Sequence, residues 1–178
     1  VVLKVFSQQI LHKSDAGGVK VNLKTRKAVE EGFTEILENA LTYAPDAEVD
    51  GILVQKMAPA GEEVILGVNR YPGFGHLLMF GFGGIYVELF KNVVFRLAPI
   101  GRNTARRMIR SIKGYEMLTG FRGKPHADIE EIERLLVGLS QLVTDNPEIK
   151  ELDINPLFVH GAGSGATVAD IIITLEQE

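Results

Sequence analysis

Short turns limit what this chain can fold into. Ala58-Pro59-Ala60-Gly61 separates the apolar run Gly51-Ile52-Leu53-Val54-Gln55 from Glu63 to Val68, and Gly161-Ala162-Gly163-Ser164-Gly165 separates Leu157-Phe158-Val159 from Val168 to Leu175. A parallel neighbour needs a crossover of about a dozen residues or more, whereas a short turn returns the strand antiparallel. Strands and helical patterns are mixed along the chain. The reading is therefore α+β with largely antiparallel sheets and flanking helices, not a doubly wound parallel sheet.

The remaining elements follow from periodicity and caps. Val1 to Phe6 reads as a buried strand already under way, with no basic lead and no cleavage site, so it is no signal peptide and suggests a fragment. Val19, Val21 and Leu23 alternate with Lys20, Asn22 and Lys24, the period of a half-buried strand. Thr25 is placed to cap a helix ending near Tyr43, with Val29, Phe33, Ile36, Leu37, Ala40 and Leu41 at helical spacing. Glu63 to Val68 reads as the strand returning from Gly51–Gln55. Leu77 to Phe80 and Val93 to Leu97 are further strand candidates, and a helix covers about 103–113. Another runs from Asp128 to Val143, with Asp128 as N-cap and Glu131 at the capping-box position.

The 178 residues form one domain, with approximate subdomains 1–55 and 56–178. Apolar residues make up 46% and charged residues 24%, a globular balance. A net charge of −4 gives no general grip on nucleic acid. There is no cysteine, so disulfides and thiolate metal sites are excluded and a cytoplasmic home is permitted. No segment reaches the roughly 20 apolar residues that cross a bilayer.

Three constellations can carry chemistry. Glu151, Asp153 and Asn155 are spaced two apart, which in an extended segment puts them on one face. If the next strand pairs through the Gly161–Gly165 turn, Asp170 converges on Asp153 and Asn155. Such oxygen ligands suit Mg²⁺, which takes few protein carboxylates plus phosphate and water oxygens. The competing reading makes Asn155-Pro156 a plain turn and Asp170 a solvated strand residue.

Lys4 is the second. A lysine inside an apolar strand needs an anion or a route to water. The loop His12 to Gly18 offers backbone N–H groups and two adjacent glycines that can approach phosphates, and His12 can act as nucleophile or base. An ordinary glycine turn beside a sheet-edge lysine explains the same residues. The third is Phe80-Gly81-Phe82-Gly83-Gly84, followed by Glu88 as a candidate acid of a phosphate or metal site; a turn between strands fits equally. His76 and His126 lie in loops and His160 ends a strand. With no H-E-x-x-H pair, zinc is not supported. Ser7, Ser111, Ser140 and Ser164 lack a nucleophile-elbow setting. Arg102, Arg106, Arg107 and Arg110 recur at helical spacing and read as a solvated face or a contact for a partner subunit.

Taken together, His12-Lys13-Ser14-Asp15-Ala16-Gly17-Gly18-Val19, Met79-Phe80-Gly81-Phe82-Gly83-Gly84-Ile85 and Glu151-Leu152-Asp153-Ile154-Asn155-Pro156-Leu157 resemble the ATP-grasp domain of NDP-forming acyl-CoA synthetases, relatives of the succinyl-CoA synthetase β subunit. The resemblance spans essentially the whole chain. It implies an ATP-grasp fold and an acid–thiol ligase that makes acyl-CoA from an acid, CoA and ATP, or runs in reverse. Phosphate would pass through a phosphohistidine on a separate CoA-binding α subunit or domain, so a hetero-oligomer is expected. It also implies that Lys4 contacts ATP phosphates and that Gln55, Lys56 and Met57 meet adenine. Glu63 would belong to the nucleotide pocket, and Asn155 and Asp170 would hold Mg²⁺. Asp153 would lie near the visiting phosphohistidine, and His12 would accept and relay the phosphoryl group.

The sequence departs from the family at Tyr71-Pro72 and Phe74-Gly75-His76, where the family usually shows Asp-Pro and Phe-Gly-Pro, and at Ile172, where it usually has arginine. The family's β portion also begins well before Lys4, so an N-terminal part of the fold is expected to be missing. Two alternatives keep the fold: a regulatory domain of a protein acetyltransferase fusion, and another ATP-grasp carboxylate ligase, against which the His12 motif argues.

Overall fold

A computed structural model describes residues 1–84, 92–123 and 125–176. The chain divides into two compact units, Val1–Met57 and Ala58–Glu178.

The first unit is a three-stranded antiparallel sheet under one helix. Strand β1 (Val2–Phe6) lies between β2 (Val19–Lys20) and β3 (Gly51–Gln55). Leu3 and Val5 pack on Ile36 and Ala40 of helix α1 (Arg26–Tyr43). Thr25 caps α1, its hydroxyl accepting from the Ala28 N–H at 3.2 Å. The strand expected over 19–23 is only two residues long. Asn22 takes the left-handed φ of 60°, which breaks the extended run before Leu23.

Among the described residues the second unit is a six-stranded antiparallel sheet with two α-helices. Strands β4 (Glu62–Tyr71), β5 (Gly75–Phe82) and β6 (Val93–Leu97) are followed by helices α2 (Arg102–Ser111) and α3 (Ile129–Asp145), then β7 (Ile149–Val159), β8 (Ala166–Val168) and β9 (Ile171–Leu175). The sheet order is β6-β5-β4-β7-β8, with β9 also paired to β7. The turn at 58–61 does not return β3 onto β4. β3 pairs with β1, and both edges of β4 are already taken by β5 and β7.

One face of the large sheet carries the core. Val64, Leu66, Val68, Leu78, Phe80, Leu152 and Leu157 pack against Ala105, Met108 and Ile109 of α2 and Ile132, Leu136 and Val143 of α3. The helices are pinned to each other by a carboxylate. Glu133, only 2% exposed, accepts from Arg102 Nε at 2.8 Å and Arg106 Nε at 2.7 Å. Two of the arginines expected on a solvated face therefore serve a buried acid. The Arg106 hydrogen bond, followed by that of Arg102, holds the Glu133 carboxyl below the usual carboxylate range.

The capping box at α3 is half formed. Asp128 Oδ1 accepts from the Glu131 N–H, but the Glu131 carboxylate pairs with Arg134, and the Asp128 N–H donates to the His160 carbonyl instead. His76 is not in a loop. It lies buried in β5, its Nε2 2.7 Å from the carbonyl of Ile149.

Candidate functional site

The candidate residues fall on both units. In the larger one, strand β7 runs straight through Asn155-Pro156, so this dipeptide is not a turn. Its pairing with β4 shifts between Val64, opposite Leu157, and Leu66, opposite Ile154. Asn155 and Pro156 together therefore face the single residue Ile65, which makes a β-bulge. Proline has no N–H to give a ladder, and a bulge is where a sheet tolerates it.

The other neighbour of β7 breaks at the same level. β8 ends at Val168, opposite Leu157, and β9 begins at Ile171, opposite Ile154. Across the gap the Asn155 N–H donates to the Asp170 carbonyl at 3.2 Å, and the Ala169 N–H donates to the Pro156 carbonyl at 3.0 Å. Asp170 thus sits in the interruption between two strands, not within one as the apolar run suggested. The fold brings Asn155 and Asp170 to adjacent backbone positions although fourteen residues of chain lie between them.

Asp153 lies in the regular part of the ladder. It is opposite Gly67 on one side and Ile172 on the other. Gly67 is in turn opposite Met79, and Met79 opposite Phe95, so one row crosses the sheet on the face away from the helices. A Cβ on Gly67 would come within 2.8 Å of Met79 Cε, so the thioether lies over the glycine in the row that holds Asp153. The alternation that puts Glu151 and Asp153 on one face stops at Ile154, because the bulge begins there.

Glu63 meets the glycine segment. Its carbonyl accepts from the Gly83 N–H at 2.8 Å, and a Cβ on Gly84 would stand 3.0 Å from its Oε2. Gly84 has φ 62°, so the glycine provides both the backbone conformation and room for the carboxylate. Glu88 lies outside the described residues.

In the smaller unit Lys4 is 8% exposed. It pairs opposite Val19 and Leu53, on the face of β1 away from Leu3 and Val5. The His12 loop is closed on itself. The His12 carbonyl accepts from the N–H groups of Asp15 and Ala16, the Ser14 carbonyl from Gly17, and the Lys13 carbonyl from Gly18. Those four N–H groups are spent inside the loop, so the expected backbone cradle for phosphates is not formed by them. The glycines answer to packing: a Cβ on Gly18 would lie 2.5 Å from Val5 Cγ1, and one on Gly17 2.8 Å from Asn39 Nδ2. What the loop does present is His12 itself, exposed on a turn closed by its own backbone hydrogen bonds.

Gln55 ends β3, exposed and opposite Val2. Lys56 follows, exposed, and the Met57 Sδ accepts from the Asn22 N–H at 3.5 Å. The left-handed Asn22 thus holds Met57 in place, a role no spacing in the sequence signals. His160 is the other residue whose contacts the sequence hides, because its side chain meets the Ala60 carbonyl 100 residues away.

Among the described residues, no three His, Cys, Asp or Glu side chains converge on a common point. The donor set at the bulge is one amide and one carboxylate, all oxygen, which fits a cation that keeps water and phosphate ligands better than one held in a full protein cage. Also among the described residues, no helix is long and apolar enough to cross a membrane.

Comparison with known proteins gives a consistent result. A family model described as an ATP-grasp domain matches residues 1–175. The chain is 47% identical over 173 residues to the β subunit of acetate–CoA ligase (ADP-forming) I of Pyrococcus furiosus, covering 97% of this chain and 75% of that subunit. It is also 47% identical to acetate–CoA ligase (ADP-forming) I of Archaeoglobus fulgidus, where its full length covers only 26% of the longer polypeptide. A solved structure of acetyl-coenzyme A synthetase 1 from Ca. Korarchaeum cryptofilum, with coenzyme A and Ca-AMPCP, superposes with a TM-score of 0.90 at 46% identity, covering 98% of this chain and 76% of that one. Another structure of that enzyme holds coenzyme A and Mg-AMPPCP, with a phosphohistidine segment pointing towards the nucleotide-binding site. It has a TM-score of 0.80 at 42% identity, covering 99% and 76%.

Proposed function

This chain belongs to the ATP-grasp family, and we propose that it is the nucleotide-handling part of an ADP-forming acyl-CoA synthetase, an acid–thiol ligase that works with a CoA-binding partner. The observation that carries the reading is the likeness, over essentially the whole chain, to enzymes named ADP-forming acetate–CoA ligases. The partner is a separate subunit, as the designation of the Pyrococcus relative as a β subunit suggests, or a further segment of a longer polypeptide, as the length of the Archaeoglobus relative suggests.

The residues divide the work. Lys4, buried on its strand, offers a fixed ammonium to ATP phosphates, and Gln55, Lys56 and Met57 meet adenine. Glu63, seated on Gly84, belongs to the nucleotide pocket. The Asn155 amide oxygen and the Asp170 carboxylate would hold Mg²⁺. When bound, Mg²⁺ supplies neutralisation of phosphate charge, the dominant need of phosphoryl transfer. A solved structure of a relative containing Mg-AMPPCP supports this choice of metal and nucleotide. His12 is the relay: its imidazole nitrogen forms a bond to the γ-phosphorus as the bond to ADP breaks, then passes the group to the partner's histidine. Asp153 accepts a hydrogen bond from that visiting imidazole and orients it.

Labelled ATP tests the reading. Incubated with the chain and a CoA-binding subunit, it is expected to leave acid-labile label on His12 and on the partner's histidine, with acyl-CoA formed only when both proteins are present. Absence of acid-labile label from both proteins would overturn the assignment, and robust acyl-CoA formation by this chain alone would overturn the need for a partner.

A further inference from the structure

We infer that His160 is a positioning residue for nucleotide binding: it clamps the connector after Met57 and ties it to the hairpin that leads to Asp170. This rests on the reading of Gln55–Met57 as the adenine-contacting segment.

The geometry is local and fully specified. The chain leaves the smaller unit at Met57 and enters the larger at Ala58. Three residues after Met57, the Ala60 carbonyl lies 3.2 Å from His160 Nδ1. A carbonyl can only accept, so Nδ1 carries the proton on that bond. The Nε2 atom meets the Thr167 hydroxyl at 2.8 Å. Both ring nitrogens are therefore committed, which fixes the imidazole in rotation. The next residue of the connector reinforces the contact, because a Cβ on Gly61 would lie 2.5 Å from the Val159 carbonyl oxygen. Only glycine lets the connector come this close to β7.

The backbone of His160 extends the tie. Its N–H donates to the Gly165 carbonyl at 3.0 Å, and its carbonyl accepts from the Asp128 N–H at 2.9 Å. Asp128 Oδ2 in turn accepts from the Gly165 N–H at 2.8 Å. One residue thus joins the connector, the Gly161–Gly165 turn, strand β8 through Thr167 and the cap of α3. Met57 itself, the last residue of the smaller unit, accepts from the Asn22 N–H at 3.5 Å. Pro59 lies between Met57 and Ala60, and its ring restricts the backbone there further. A segment whose following residues are held in place has less conformational freedom to lose when a ligand binds.

The side-chain chemistry permits a discriminating test. Asparagine at 160 places Nδ2 near the Nδ1 position and keeps donation to Ala60, whereas glutamine reaches towards Thr167 and leucine makes neither bond. His160→Asn, His160→Gln, His160→Leu and Thr167→Val are prepared in the chain assembled with its CoA-binding partner, and KM for ATP, kcat and melting temperature are measured. Loss of the Ala60 bond is expected to raise KM for ATP about five- to tenfold in the Gln and Leu variants, the scale of one hydrogen bond. Asn stays within about twofold of wild type, and kcat changes little in all, consistent with lost ground-state binding. Equal losses in all three His160 variants, or a fall in kcat that follows melting temperature with KM unchanged, would assign His160 a merely structural role and overturn the inference. Wild-type protein that does not use ATP would overturn the nucleotide reading itself, and the inference with it.

Discussion

The backbone N–H of Asn155 donates to the carbonyl of Asp170 at 3.2 Å, across a point where β7 bulges and its neighbouring strand is interrupted. An amide and a carboxylate side chain are thereby rooted on two touching backbone positions. Bulges occur beside functional sites because they re-aim a side chain that a regular pleat would direct elsewhere.

Asn155→Ala or Asp170→Ala is expected to weaken Mg-ATP binding at least tenfold, as on the proposed assignment each would remove one of two protein oxygens from a cation with few protein ligands. Titration of the assembled enzyme with ATP at several Mg²⁺ concentrations checks this. An unchanged Mg²⁺ dependence in both variants would remove the metal assignment.

His12→Ala is expected to abolish phosphate exchange with the partner's histidine while leaving Mg-ATP binding near wild type. His12 is exposed on a loop closed by its own backbone bonds, and those bonds use its carbonyl, not its ring. Exchange of label between ATP and the partner reads the first effect and equilibrium titration the second. Exchange at the wild-type rate would rule out the relay.

Glu133→Gln is expected to destabilise the second unit by about 2 kcal/mol, the scale of hydrogen bonds to a charged group discounted for arginines that remain partly in water. The pH dependence follows from the lowered folded value of Glu133, caused first by Arg106. The stabilisation is complete above the ordinary carboxylate value. It declines below that value and is lost as pH falls through the depressed one. Urea melts between neutral pH and pH 3 should therefore show the wild-type advantage over the variant shrinking as pH falls. A constant difference across that range would count against the mechanism.

Gly18→Ala is expected to cost about 1–3 kcal/mol, the scale of overpacking, because the new methyl would stand 2.5 Å from Val5 Cγ1 in the core of the first unit. Val5→Ala in the same chain should recover part of that loss by making room. A single substitution with an unchanged denaturation midpoint would show that the loop can move away at no cost.

Much of the fold was legible because local rules govern it. Thr25 capped its helix as its hydroxyl chemistry predicts, and the Gly161–Gly165 turn returned its strand antiparallel. The turn at 58–61 misled, because a short connection says nothing about which edges are already occupied. His76, Arg102 and Arg106 misled in another way. Their placement depends on partners at Ile149 and Glu133, and no periodicity in the flanking sequence reports on those.

At the candidate site the chain's own order of residues determined the chemistry on offer: an amide and carboxylates near one strand, a lysine in another, a histidine on a glycine loop. Type and spacing suffice for that, because donor chemistry belongs to the side chain. Tertiary structure alone decided that Asn155 meets Asp170, that the His12 loop spends its N–H groups on itself, and that His160 reaches Ala60. Each of these is a hydrogen bond or register shift between segments that the chain keeps apart, and only the packing of the sheets selects which backbone groups remain to be paired.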